Sequence, residues 1–215
     1  MTEQQAAFWD SIEVFDKEGL LPFVMLIGSW AEYIYQFYFK SDFMSNLKTR
    51  DVDFLFRNLN IPKRKIELSK ALEEKGFVYR EDYLTGVGKF SKENFLEIEF
   101  ITRVLGKGER AYEKIPSIGV KAEGLRAVNI LADYPLTFKC RGYDIVVPEP
   151  EAYVMQKLII NTTRNPEDKK EKDIQAIRQL LKHINKNRVH EIYSRLTKAQ
   201  KQTVDTVSKA HFIDI

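Results

Sequence analysis

Two pairs of carboxylates, each pair separated by one residue, are the feature of this sequence best suited to chemistry. Asp51 and Asp53 flank a valine within an apolar stretch. Glu97 and Glu99 flank an isoleucine within a second apolar stretch. Both stretches alternate in polarity and are rich in β-branched and aromatic residues, so both are predicted to be strands. Side chains two residues apart on a strand point to the same face, so each pair is aimed at one place.

The carboxylates predict a bound divalent cation. Acids gathered beside a core repel one another and are costly to desolvate unless positive charge lies between them. Oxygen ligands of this kind favour Mg²⁺ or Mn²⁺. Asp51 and Asp53, with a third carboxylate from Glu97 or Glu99, are expected to hold such ions. Ions held in this way neutralise phosphates and activate an attacking oxygen, which is the chemistry of nucleotidyl transfer.

A Gly28-Ser29 turn is predicted to bind phosphate. It follows a short apolar run at 23–27, read as a buried strand, and precedes a helix expected from Trp30 to about residue 39. Glycine allows the backbone to approach a phosphate closely, and the amino end of a helix favours an anion. The Ser29 hydroxyl would add a hydrogen bond to a phosphate oxygen.

Lys157 is a further candidate. It lies in a predicted helix over 150–162 that is apolar over most of its surface. A lysine in such a helix either extends to solvent along its aliphatic stem or binds an anion in a cleft. The residues leave both interpretations open.

The predicted elements give a mixed α/β (α+β) fold, with a sheet flanked by helices and followed by a helical C-terminal part. Two domains are expected, an α/β core over 1–148 and a helical subdomain over 149–215, because the sequence becomes almost wholly helical after Pro148. Within the core, Pro62 and Gly76 predict a helix over 62–75. Short strands are expected over 121–147, with a hairpin turn at 140–143.

Composition excludes several other classes of protein. The 215 residues carry a net charge of +3, which neither requires nor excludes a polyanionic partner. A single cysteine excludes a disulfide framework or a cysteine zinc cluster. No apolar run approaches the roughly 20 residues that span a bilayer, and the polar amino terminus is unlike a signal peptide. We expect a soluble cytoplasmic protein with no membrane partner.

The order of these motifs resembles that of the DNA polymerase β-like nucleotidyltransferase superfamily. The family pattern of an apolar strand, a Gly-Ser turn, an Asp-x-Asp strand and a later acidic strand is similar to residues 26–29, 49–54 and 96–100. The resemblance implies a nucleotidyltransferase fold. It implies that Asp51, Asp53 and Glu99 are metal ligands and catalytic residues, with Glu97 the alternative to Glu99. It also implies that Gly28 and Ser29 bind the nucleotide.

A second stretch resembles the bacterial minimal nucleotidyltransferases, including their toxin or abortive-infection branch. It runs from Val147 through a proline-rich entry to Lys157-Leu158, then Arg164, and on to Asp173. The resemblance implies that Lys157 reaches the nucleotide phosphates. Membership of the toxin branch of toxin–antitoxin systems would add an antitoxin as a protein partner, and the sequence leaves the existence of that partner open.

The implied activity is metal-dependent transfer of a nucleoside monophosphate from an NTP, such as ATP, with release of pyrophosphate. A protein, a tRNA and a small molecule remain open as acceptors. Two alternatives are a non-catalytic module of the same fold that binds a nucleotide or partner, and a phosphodiesterase that uses the same acids on water.

Overall fold

The computed structural model describes residues 1–40, 43–45, 47, 49–104, 112–125, 128–165 and 167–215. Over these residues the chain forms eight α-helices and nine strands, so the expected mixed α/β fold flanked by helices is confirmed. The helices are α1 (Glu3–Lys17), α2 (Gly28–Tyr38), α3 (Leu68–Glu73), α4 (Asn129–Asp133), α5 (Pro150–Asn161), α6 (Glu167–Leu180), α7 (Lys186–Ser194) and α8 (Lys198–Ala210). The strands are β1 (Val24–Ile27), β2 (Asp51–Phe56), β3 (Val78–Glu81), β4 (Gly88–Lys92), β5 (Leu96–Arg103), β6 (Tyr112–Ile115), β7 (Val120–Leu125), β8 (Pro135–Cys140) and β9 (Tyr143–Pro148).

The chain divides into two compact units. Unit 1 comprises Met1–Ala31, Leu47–Arg126 and Pro135–Val147. Unit 2 comprises Glu32–Asn46, Ala127–Tyr134 and Pro148–Ile215. Unit 2 therefore contains two segments that the sequence assigns to the α/β core, in addition to the helical C-terminal part.

Unit 1 is built on a mixed seven-stranded sheet. Its main path runs β1-β2-β5-β4-β3, and β7 pairs with both β5 and β6. β5 runs parallel to β2 and to β7, whereas the β1–β2, β3–β4, β4–β5 and β6–β7 pairs are antiparallel. β8 and β9 form a separate two-stranded sheet. The parallel pairing brings β2 and β5 side by side although about 40 residues separate them in sequence.

The two faces of this sheet differ in polarity. Val52, Phe54 and Phe100 are almost fully buried on one face. Phe15 of α1 packs there, with its ring centroid 4.8 Å from that of Phe54 and 5.9 Å from that of Phe100. The strand period of two places the intervening acidic residues on the opposite face. Burial of the aromatic face against α1 therefore fixes the direction in which the carboxylates point.

Two predicted elements are wrong. The helix expected over 62–75 is restricted to Leu68–Glu73. The backbone N–H of Ile66 donates to the carbonyl of Ser117 at 2.8 Å, and the Arg64 guanidinium donates to the carbonyl of Glu18. These contacts with other parts of unit 1 replace the hydrogen bonds of a first helical turn. The second error lies in 121–147, which contains α4 in addition to the expected strands.

The predicted hairpin turn at 140–143 is confirmed. Arg141 and Gly142 connect β8 to β9, and both have positive φ, at 51° and 92°. This left-handed pair is typical of the two-residue turns that match the twist of hairpin strands.

Unit 2 is mainly helical and is organised around α5. Pro150 lies in the first turn of α5, where its missing N–H costs no helical hydrogen bond. α5 contacts α4, α6, α7 and α8, which explains why most of its residues are buried. No helix in the described part of the chain is long and apolar enough to cross a membrane.

Candidate active site

The register between β2 and β5 brings the two acidic pairs together. Asp51 lies opposite Glu97, and Asp53 lies opposite Glu99. Because both strands run in the same direction and both pairs have a spacing of two, all four residues are on one face of the sheet.

Three of these residues form an acidic cluster, which we define as Asp51, Glu97 and Glu99. Each offers a carboxylate oxygen that lies within 4.8 Å of the oxygens of the other two. Asp51 is exposed and the two glutamates are half-buried. The donors are hard carboxylate oxygens that converge from neighbouring strands and are accessible, so the residues fit a divalent cation such as Mg²⁺ or Mn²⁺.

Asp53 lies beside the glycine turn. Its partner in the antiparallel β1 strand is Ile27, the residue before Gly28. Gly28 has φ of 66°, and a β-carbon added there would lie 2.6 Å from Oδ2 of Asp53. Glycine is therefore required both by the left-handed backbone and by the approach of the Asp53 carboxylate. Asp53 is not one of the three residues whose oxygens converge in the acidic cluster.

Gly28 and Ser29 are the first two residues of α2, and both are half-buried. They directly follow β1, so α2 begins at Gly28 and not at Trp30 as the sequence predicts. The first turn of α2 carries no acidic side chain. Its geometry is suited to an anion, because the backbone N–H groups of a first helical turn lack carbonyl partners within the helix.

Lys89 belongs to the site and was missed in the sequence. It lies on β4 opposite Glu99 in the antiparallel β4–β5 pair. Its Nζ is 2.6 Å from Oε1 of Glu99 and 4.0 Å from Oε2 of Glu97. The hydrogen bond to Glu99 is the main reason that the pKa of Lys89 is raised above its usual value. Only the register of β4 against β5 reveals this contact, and no local motif marks it.

Glu123 is a second residue missed in the sequence. It lies on β7 opposite Ile101, which is two residues from Glu99 and so on the same face of β5. Burial, and secondarily the negative charge of Glu99, raises the pKa of the Glu123 carboxyl above its usual value. The acidic face of the sheet therefore extends from β2 across β5 to β7.

Lys157 lies in unit 2, within a network of charged side chains. Its Nζ is 2.6 Å from Oδ1 of Asp173 and 3.4 Å from Oε1 of Glu32. Arg164 Nε donates to the other oxygen of Asp173 at 2.9 Å, and the Tyr153 hydroxyl donates to Glu32 at 2.7 Å. The Lys157 side chain is 8% exposed. Its ammonium is thus bound to carboxylates of unit 2, and the predicted contact with nucleotide phosphates stays a prediction.

Comparison with known proteins identifies the class. A family model described as Nucleotidyltransferase matches residues 8–201, which is most of the chain. The chain belongs to this family and is therefore a transferase enzyme whose reaction class is transfer of a nucleoside monophosphate. A comparison with curated proteins gives no significant sequence match.

Solved structures share the fold at low sequence identity. An antigenic nucleotidyltransferase-like protein from Paracoccidioides brasiliensis is 12% identical, with a TM-score of 0.59 over 98% of this chain and 90% of that one. The antibiotic-resistance factor ANT(2'')-Ia in solution is 14% identical, with a TM-score of 0.53 over 97% of both chains. A crystal structure of ANT(2'')-Ia in complex with adenylyl-2''-tobramycin is 13% identical, with a TM-score of 0.55 over 95% of this chain and 99% of that one. These similarities establish a nucleotidyltransferase fold.

Proposed function

We propose that this enzyme transfers a nucleoside monophosphate from an NTP to a hydroxyl group of a small molecule, with Mg²⁺ or Mn²⁺ as cofactor. The observation that carries the metal dependence is the acidic cluster, whose three carboxylate oxygens lie within 4.8 Å of one another on parallel strands. Asp53, beside Gly28, is proposed as a further ligand. Glu97 and Glu99 both belong to the cluster, so both are candidates for the third carboxylate that the family pattern requires.

The cation would neutralise charge on the phosphates and activate the acceptor oxygen. The chain's own residues bind and orient the reactants. Gly28 and Ser29 lie at the amino end of α2, where the helix dipole and the Ser29 hydroxyl favour the phosphates. Asp51 and Asp53, on the neighbouring strand, would hold the cation, and their negative charges repel an NTP that arrives without one.

The acidic face supports a small-molecule acceptor that carries positive charge. Lys89 pairs with Glu99 of the cluster, whereas Asp53 and Glu123 add negative charge on the same face of the sheet. This balance attracts a cationic acceptor and disfavours the phosphate backbone of tRNA. The shared fold with ANT(2'')-Ia, whose crystal structure contains adenylyl-2''-tobramycin, is consistent with an amino-sugar acceptor. The toxin branch and an antitoxin partner stay predictions that no described contact supports.

The proposal is tested by incubating the enzyme with each of the four α-³²P-labelled NTPs and Mg²⁺ or Mn²⁺. Separate reactions contain a panel of amino sugars, total tRNA, or a protein extract. We expect label on an amino sugar together with release of pyrophosphate. We expect Asp51→Asn to lower the rate at least about 100-fold, since it removes a charged ligand. Glu81→Gln is the matched control, because Glu81 is a strand carboxylate paired with Lys121 at 2.6 Å rather than with the acidic cluster.

Each other outcome has a distinct meaning. Label on tRNA or protein would overturn the proposed acceptor class. Binding of an NTP without turnover on any acceptor would favour the non-catalytic module. Degradation of tRNA without added NTP would favour a phosphodiesterase. Full activity of Asp51→Asn would show that the acidic cluster is not the metal site.

A further inference from the structure

The Lys89 ammonium supplies positive charge beside the carboxylates of the acidic cluster. Its Nζ makes a direct ion pair with Glu99 at 2.6 Å and lies 4.0 Å from Glu97. Both glutamates are among the residues whose oxygens converge. In this structure, therefore, the repulsion between the carboxylates is reduced by a side chain of the protein itself.

This arrangement conflicts with binding of a divalent cation. An ammonium and a metal ion compete for the same carboxylate oxygens, and they repel each other at the distances of this cluster. The Lys89 side chain is 36% exposed, whereas that of Glu99 is 13% exposed. The lysine is thus the partner that can move into solvent, because four rotatable bonds connect its ammonium to the strand.

We propose that Lys89 is an exchangeable counter-ion of the acidic cluster, which releases Glu99 when a divalent cation binds and thereby sets the affinity for that cation. The inference rests on the proposed metal-dependent function. Lys89 is a positioning residue, since it acts through Glu99 and not on the reacting atoms. The Lys89 ammonium stabilises the carboxylates when no metal is bound. It therefore raises the cation concentration that is needed to fill the site.

The direct test is Mn²⁺ binding to the full chain without nucleotide, measured by electron paramagnetic resonance of free Mn²⁺. We expect Lys89→Met to bind Mn²⁺ about three- to tenfold more tightly than wild type, because a partly exposed ion pair opposes cation binding by only a modest free energy. Lys89→Arg keeps the charge and is expected to stay close to wild type. Circular dichroism confirms that each variant is folded.

Lys92→Met is the matched control. Lys92 lies on the same strand, its side chain is 24% exposed, and it pairs with Asp10 at 2.8 Å rather than with the acidic cluster. The variant loses one positive charge and one ion pair, so it reports the effect of net charge alone. We expect its affinity for Mn²⁺ to match that of wild type.

The outcomes separate this inference from the proposed function. Equal or weaker Mn²⁺ binding by Lys89→Met would overturn the role of Lys89, while nucleotidyl transfer that depends on Asp51 would still stand. Equal gains in Lys89→Met and Lys92→Met would also overturn it, since net charge would explain both. Absence of Mn²⁺ binding in every variant would overturn both this inference and the metal assignment.

Discussion

At the scale of single residues, the candidate site combines the acidic cluster with Gly28, a glycine that no other residue type can replace without strain. Gly28 has a left-handed backbone and lies against the Asp53 carboxylate. The two requirements have different consequences. A left-handed backbone affects stability, whereas the contact with Asp53 determines where a proposed ligand lies.

Gly28→Ala is expected to separate these effects. The left-handed backbone costs an alanine roughly 1–2 kcal/mol of stability, and the new methyl group must displace the Asp53 carboxylate. Gly119→Ala is the control, because Gly119 has φ of 71° and no atom within 4 Å of an added β-carbon. We expect similar losses of unfolding free energy in urea, but a loss of nucleotidyl transfer only in Gly28→Ala. Equal activity of the two variants would contradict a role for the Asp53 contact.

Glu123 predicts a pH-dependent effect on stability. The pKa of this carboxyl is raised in the folded protein, mainly by burial, so folding favours its neutral form. The favourable contribution of this carboxyl to stability is therefore present below its pKa in the unfolded chain. It is lost as the pH rises through its pKa in the folded protein. Glu123→Gln should raise the melting temperature at pH 7 to 8 and leave it nearly unchanged at pH 4.

Glu81→Gln provides a control of opposite sign. A hydrogen bond from Lys121 lowers the pKa of Glu81 in the folded protein. The contribution of Glu81 to stability is therefore present above its pKa in the unfolded chain, and it is lost as the pH falls through its pKa in the folded protein. This variant should lower the melting temperature at pH 7 and have little effect at low pH. The same response in both variants would contradict the assigned environments.

The residues of the site were predictable from the sequence to different degrees. Asp51 and Glu97 stand out because each lies in an apolar strand with a second acid two residues away. Lys89 and Glu123 have no such marker. Their places follow from the pairing of β5 with β4 and β7, and this register depends on packing of the whole sheet rather than on local sequence.

At the scale of elements, a buried ionic network connects the helices of unit 2. Lys157 on α5 and Arg164, just beyond α5, both bind Asp173 on α6, and Lys157 also lies near Glu32 on α2. The Asp173 side chain is 4% exposed. Removing one member of such a network leaves the others buried without full compensation.

Asp173→Asn is expected to destabilise the protein by about 3 kcal/mol, since the amide keeps the shape of the side chain but removes its charge from Lys157 and Arg164. Asp168→Asn is the control on the same helix. Asp168 pairs with Lys172 at 3.2 Å, and both side chains are more than 60% exposed. Its loss should cost less than about 0.5 kcal/mol in urea unfolding. Comparable losses would mean that the network does not stabilise unit 2.

Most elements of the fold were predictable from periodicity, but not the extent of α3. The C-terminal part is helical as expected, and α5 (Pro150–Asn161) lies close to the helix predicted over 150–162. The segment before α3 carries acceptable helix formers, yet Ile66 donates to the Ser117 carbonyl instead of to its own helix. A contact with a distant loop decides this conformation, and local propensity carries no information about it.

At the scale of the whole molecule, the acidic cluster and both tryptophans belong to unit 1. The sequence has two tryptophans, Trp9 and Trp30, and both are buried. Trp30 stacks on Phe8 with ring centroids 4.4 Å apart. Tryptophan fluorescence therefore reports the unfolding of the unit that contains the proposed cation site.

Mg²⁺ is expected to raise the stability measured by this fluorescence. A ligand that binds only the folded state adds about 2.7 kcal/mol when its concentration is 100 times its dissociation constant. The gain should disappear with EDTA and in Asp51→Asn, and should persist in Glu81→Gln. An equal gain in Asp51→Asn would place the stabilising cation elsewhere.

The most direct test of the metal assignment is a crystal soaked in Mn²⁺ and measured for anomalous scattering. We expect an anomalous peak within coordination distance of Asp51 and of at least one of Glu97 and Glu99, with the Lys89 ammonium withdrawn from Glu99. A soaked crystal with no peak at these carboxylates, in which Lys89 still bonds to Glu99, would contradict the account.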